Sequence, residues 1–128
     1  MDKVVHFEIP ADDEERARKF YGSVFDWELN AADMGGGNMY TTAQTVAIDE
    51  KRRPTEPGAI NGGIMKRSSD TPTPVITIQV DAIDDSLKKV EAAGGSTIQP
   101  RTEIPEMGAF AYFKDSEDNV MGLWEGSV

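Results

Sequence analysis

One order of elements, read twice along the chain, does most to limit its fold. Residues 4–10, "VVHFEIP", alternate: Val5, Phe7 and Ile9 point to one side, His6 and Glu8 to the other. This is the pattern of a half-buried strand. Asp12 or Asp13 then stands where a helix cap would accept backbone N–H groups, with further acids in the first turn. Ala17, Phe20, Tyr21, Val24 and Phe25 share one helical face, which the apolar side of the strand is expected to meet. Strand candidates follow at "DWELN", "MYTTAQ", "TVAIDE" and "AINGGIMK" (59–66), with Gly35, Gly36 and Gly37 breaking the first from the second. Gly62 and Gly63 mark a bulge or a close backbone approach.

The pattern then restarts. "RSSDTPTP" (67–74) reads as a small, polar linker. "VITIQVD" (75–81) alternates Ile76, Ile78 and Val80 against Thr77 and Gln79. Asp84 is placed to cap a helix carrying Ile83, Leu87 and Val90, which ends at Gly94-Gly95. "STIQPRTEI", "AFAYFKD" and "VMGLWE" follow as strands. Strand, helix, three or four strands, repeated at a period of roughly seventy residues, is an internal duplication of a βαβββ unit. The predicted fold class is α+β: two βαβββ modules, 1–66 and 75–128, joined by the linker 67–74 within one domain.

Composition narrows the functions. The 128 residues hold 23 acids and 13 bases, for a net charge of -10, a surface that repels phosphate backbones and argues against a nucleic-acid partner. The chain has no cysteine, hence no disulfide, thiol nucleophile or zinc–thiolate site. No signal peptide is visible at "MDKVVHFEIP" and no apolar run is long enough to span a bilayer, so no membrane association and a cytoplasmic location are expected. There is no HExxH, GxSxG or phosphate-binding glycine loop. What remains is the polar face of two equivalent strands.

If the helices cover the outer faces, His6, Glu8, Thr77 and Gln79 face inward, where polar groups on rigid strands suit a small-molecule site. On the last strand Val120, Gly122 and Trp124 share a face, and Phe110 and Tyr112 share one on the strand before. Glu8 is the least ordinary of these, because a carboxylate on an enclosed face needs a partner, and His6, the only histidine, is near enough along the strand to be one.

These stretches have a familiar order. "HFEIPADDEERARKFYGSVFDWE", "VITIQVDAIDDSLKKVEAAGGSTIQP" and "FKDSEDNVMGLWE" together resemble the glyoxalase/bleomycin-resistance/dioxygenase proteins, the vicinal oxygen chelate superfamily, across nearly the whole chain. The similarity runs most closely to small proteins related to lactoylglutathione lyase. The resemblance implies paired βαβββ modules whose curved, mixed sheets form a cup, and a homodimer. It also implies four metal ligands in metal-dependent members. His6 matches the first of them. The others fall on Val75, on Gly122 and in "INGGI", where only Asn61 could coordinate, and weakly. The loop that often reads Asp-Pro-x-Gly-Asn is Asp115-Ser116-Glu117-Asp118-Asn119 here, so its Pro and Gly are missing.

A divalent site normally needs about three protein ligands. The expected function is therefore binding of a small organic molecule in the cup, with lyase-type or isomerase-type chemistry, without a cofactor and with the metal site degenerate. His6 and Glu8 are the expected catalytic pair, and Thr77, Gln79, Tyr112, Gly122 and Trp124 the expected ligand contacts. A drug-sequestering binding protein without catalysis is the first alternative, for which the net charge would favour a cationic drug. A metal-dependent lyase or dioxygenase, with His6 as a metal ligand, is the second.

Overall fold

The computed structural model describes residues 1–33 and 39–126; the glycine run at 35–37 lies outside them. Ten elements follow one another: β1 Lys3–Ala11, α1 Glu14–Phe25, β2 Glu28–Asp33, β3 Met39–Gln44, β4 Asn61–Lys66, β5 Val75–Gln79, α2 Ile83–Ala92, β6 Ser96–Ile104, β7 Gly108–Lys114 and β8 Val120–Gly126. The order is βαβββ twice. The chain divides into two compact units, one holding residues 6–74 and the other residues 1–5 and 75–126.

In the unit 6–74 the strands lie in the order β2-β3-β4-β1. β2, β3 and β4 are antiparallel neighbours, while β1 runs parallel to β4 with His6 opposite Asn61 and Glu8 opposite Gly63. Asp13 is the N-cap of α1; its Oδ1 accepts from the Arg16 N–H at 3.0 Å. On the apolar side of β1, Phe7 meets Trp27 with ring centroids 5.6 Å apart, and Trp27 stacks on Tyr21 of α1 at 5.0 Å and 9°. The expected strand-on-helix contact therefore runs through Trp27 and Tyr21. The other large apolar residues of α1, Phe20, Val24 and Phe25, are exposed.

"TVAIDE" is not a strand, contrary to expectation. Its only ladder contact is a single bridge between Ile48 and Pro54. Asp49 explains the difference: Oδ1 accepts from the Lys51 and Arg53 N–H groups at 2.8 and 2.9 Å, closing a turn that competes with strand pairing. The base of the same loop is fixed by Asn61, whose Oδ1 accepts from the N–H groups of Thr45 and Val46 and from the Thr45 hydroxyl.

In the other unit the order is β5-β8-β7-β6, with β5 parallel to β8 and the rest antiparallel. Val80, Ile83, Leu87, Ala109, Ala111, Phe113 and Leu123 form its core, so α2 covers the Ala111/Leu123 face of the sheet. Asp84 is not the cap of α2, as the sequence suggested. The cap position is Ala82, and Glu125 from β8 supplies the missing acceptor, taking the Ile83 N–H at 2.9 Å. The Arg101 guanidinium holds that carboxylate at 2.7 Å.

Candidate functional site

β1 turns His6 and Glu8 to the side away from Phe7, as its alternation requires. Glu8 is buried, with 8% of its surface exposed. Its partner is a residue that the sequence reading did not select. The Tyr40 hydroxyl, from the start of β3, donates to Oε2 of Glu8 at 2.9 Å, and the same oxygen lies 2.9 Å from Nε2 of His6. Tyr40 reaches β1 across β4, and it can do so because residue 63 between them is glycine. A Cβ there would lie 2.1 Å from the Tyr40 hydroxyl oxygen and 2.2 Å from its ring. The adjacent glycines did signal a close approach, but from sequence nothing showed that a phenol fills the space. The expected direct pairing of His6 with Glu8 is thus a bridge through Tyr40.

The bridge fixes proton positions. A hydroxyl has one proton to give, and Tyr40 gives it to Glu8. The bond to His6 must then run from the imidazole, so Nε2 carries the proton and Nδ1 the lone pair. Burial pulls the His6 pKa below its ordinary 6.5, and the Glu8 charge opposes this less strongly. The ring is therefore neutral at neutral pH. Nδ1 has no protein partner among the described residues, and no unpartnered side-chain nitrogen is fully enclosed there, so Nδ1 meets solvent. A neutral, oriented imidazole with one basic nitrogen open to solvent is equipped to accept a proton or a hydrogen bond.

The remaining candidates belong to the other unit and share one face of its sheet, opposite α2. Register places Thr77 beside Gly122, Gln79 beside Trp124, and Tyr112 beside Gly122. Thr77 is buried, and its hydroxyl would lie 2.7 Å from a Cβ at residue 122. The space beside Gly122 is thus taken by Thr77. The Gln79 amide donates to the Gly126 carbonyl at 2.6 Å. Gln79, Tyr112 and Trp124 are half-buried and keep part of their surface open.

The metal positions implied by the resemblance can be tested against these donors. Nε2 of His6 and Oε2 of Glu8 both face the Tyr40 hydroxyl. The one oxygen of the Asn61 side chain already accepts from three groups. Val75 is fully buried and offers no donor, and Gly122 has no side chain. Among the described residues, no three His, Cys, Asp or Glu side chains come together as a metal site would require. The donors that the described residues offer at these positions do not fit a divalent ion.

Comparison with known proteins agrees with this architecture. Residues 3–42 match the family described as bleomycin resistance protein-like N-terminal. The provisionally named glyoxylase CFP32 of Mycobacterium tuberculosis is 30% identical over 125 residues, which are 94% of this chain and 44% of that one, so the chain spans less than half of that relative. A glyoxylase-like domain-containing protein of Didymella fabae is 29% identical over 121 residues, covering 91% of this chain and 88% of its own. Among solved structures, methylmalonyl-CoA epimerase of Streptomyces coelicolor superposes with a TM-score of 0.68 at 11% identity, over 98% of both chains. A hypothetical protein of Bacillus halodurans gives the same TM-score at 14% identity, over 99% of this chain and 96% of its own. The fold is the α+β glyoxalase-like fold. Residues 3–42 are thus similar to a bleomycin-resistance-like family, and nearly the whole chain is similar to proteins named as glyoxylase-like.

Proposed function

We propose that this protein binds a small organic carbonyl compound and moves a proton on the carbon next to the carbonyl, with His6 as the base. The observation that carries this reading is the Tyr40 hydroxyl set 2.9 Å from both Nε2 of His6 and Oε2 of Glu8. It makes Nδ1 the basic atom and holds the ring in one orientation. In this reading Nδ1 takes the proton, the charge on the imidazolium is stabilised by Glu8 through Tyr40, and the proton returns to the same or a neighbouring carbon. Such a step serves an isomerase or a lyase, and the epimerase-like fold neighbours are consistent with it. We take the step to be metal-independent, because the donor set does not fit a metal. Gln79, Tyr112 and Trp124 are the proposed ligand contacts of the other unit, with Thr77 and Gly122 as their packed support. A cytoplasmic homodimer is the proposed setting. None of the described helices is long and apolar enough to cross a membrane.

The test is exchange of a carbon-bound proton with heavy water across a panel of small carbonyl compounds and thioesters, followed by NMR. Exchange with at least one member, lost in His6→Gln, is the expected result. Tight ligand binding with no exchange would instead favour the sequestering alternative, to which the net charge of -10 lends a preference for cations. Exchange unaffected by His6→Gln would overturn the assignment of the base.

A further inference from the structure

Removing a proton beside a carbonyl leaves negative charge on the carbonyl oxygen, so a base needs a hydrogen-bond donor as its companion. Asn61 is placed to be that donor. It stands directly opposite His6 in the parallel pairing of β1 with β4. Neighbouring strands lie about 4.8 Å apart. The two side chains share a face. A Cβ at Gly62 would strike Phe7, whereas a Cβ at Gly63 would strike Tyr40, so positions 61 and 63 of β4 both look to the His6 side.

The Asn61 amide has only one workable arrangement. The N–H groups of Thr45 and Val46 reach the same side-chain atom, at 2.8 and 3.2 Å. Two backbone donors require an acceptor, so that atom is the oxygen and the other is the NH2 group. The oxygen is therefore engaged by the chain itself. Nδ2 has no protein partner among the described residues, and no unpartnered side-chain nitrogen is fully enclosed there, so it meets solvent with two N–H donors. The amide cannot rotate without breaking both backbone bonds. Its donors are thus fixed before any ligand arrives, which is what stabilisation of a developing charge requires. The family resemblance suggested a weak metal ligand at this residue, which would use the oxygen; the atom left open is a donor instead.

We propose that Asn61 is a catalytic residue of this site, with Nδ2 donating to the carbonyl oxygen while Nδ1 of His6 takes the proton from the adjacent carbon. The C–H electron pair becomes a C=C bond, the carbonyl π pair moves onto the oxygen, and the amide N–H stabilises the charge there. Return of the proton from the imidazolium to carbon restores the carbonyl. The assignment rests on the proton-transfer reading and adds the donor that reading lacks. The test is the heavy-water exchange assay on the full chain, run to saturation with the panel member that the parent exchanges fastest. Asn61→Asp keeps an acceptor for Thr45 and Val46 but removes the N–H donors, and Asn61→Ala removes both. The saturating rate should fall about a hundredfold to a thousandfold in each variant, with little change in the half-saturating concentration. The pH midpoint of exchange should stay in place in Asn61→Ala, whereas only that variant should lose stability in urea. Parent-level exchange in either folded variant would overturn the role of Asn61 alone. So would a shifted midpoint with the full rate regained at the new plateau, since the loss would then lie in His6. A parent that exchanges no member of the panel would overturn the proton-transfer reading and this role together.

Discussion

Gly63 and Tyr40 occupy one space: the volume that any side chain at 63 would fill holds the phenol that joins His6 to Glu8. The atoms in conflict are the far end of a flexible side chain, so it is Tyr40 that would yield. Gly62 differs, because a Cβ there would lie 2.3 Å from the backbone oxygen of Phe7. Gly63→Ala should therefore keep the fold within about 1.5 kcal/mol and reduce proton exchange by about tenfold to a hundredfold. Gly62→Ala should cost about 3 kcal/mol or more, because a strand must move. Urea denaturation and the heavy-water assay on the same two variants separate the outcomes. Equal losses of stability would refute the distinction.

Tyr40→Phe removes the bridge without changing its shape. The buried Glu8 carboxylate loses that donor, which should cost about 1–3 kcal/mol in unfolding free energy. His6 loses the acceptor that fixes its tautomer. The chain has one histidine, so a single pair of imidazole nitrogen signals reports the state directly. The parent should show Nε2 protonated and Nδ1 bare at neutral pH, and the variant a mixture. A parent already mixed would contradict the hydrogen-bond directions argued above.

The His6 pKa carries a definite sign. It is lowered in the folded state by burial, so below the ordinary value of 6.5 the unfolded chain binds the proton more readily. The contribution of the neutral ring to stability is complete above that pH and is lost as pH falls toward the folded value. Unfolding free energy should drop as pH falls below 6.5 in the parent and less in His6→Gln. Asp13, Asp49, Asp115 and Glu125 have pKa values lowered by their hydrogen bonds, so their losses begin further into acid. Parallel pH profiles for parent and variant would show that His6 is not the group responsible.

Asp118 adopts the left-handed conformation, with φ of 67°, a backbone region that favours glycine. Asp115 closes this turn by accepting from the Glu117 and Asn119 N–H groups, both at 2.9 Å. The left-handed region costs most residues about 1–2 kcal/mol, of which glycine regains part by its freedom in the unfolded chain. The exposed pair of Asp118 with Lys114 adds little. Asp118→Gly should raise stability by about 0.5–1 kcal/mol. Thermal denaturation decides, and a lower midpoint would count against the strain.

The elements whose pattern is local were legible from the residues. β1 and α1 read directly because Phe7, Tyr21 and Glu8 obey strand and helix periods that need no distant partner. Misreadings occurred where a distant or competing group decides. Nothing near Ala82 announces that Glu125, from the last strand, caps α2. "TVAIDE" has strand residues, but Asp49 diverts its backbone into a turn. At the site, His6 and Glu8 were visible as the polar side of a strand. Tyr40 was not, since its role depends on β3 lying beside β4 and on Gly63 lying opposite Glu8. The family resemblance added the repeat's identity, and at Gly122, one of the ligand positions it implied, Thr77 takes the space.

Asn61 has a consequence for how this protein can change over generations. Its side-chain oxygen ties Thr45 and Val46 to the first residue of β4, so the two strands are joined at their ends whatever the chain does in between. Closing a longer loop costs only about 0.6 kcal/mol for each doubling of its length. The stretch from Ala47 to Ile60 is thus free to lengthen, shorten or exchange its composition while Gly63 and Tyr40 keep their places. Descendants of such a chain can try new loops there, and a designer can graft a peptide there, at little risk to the residues beside His6.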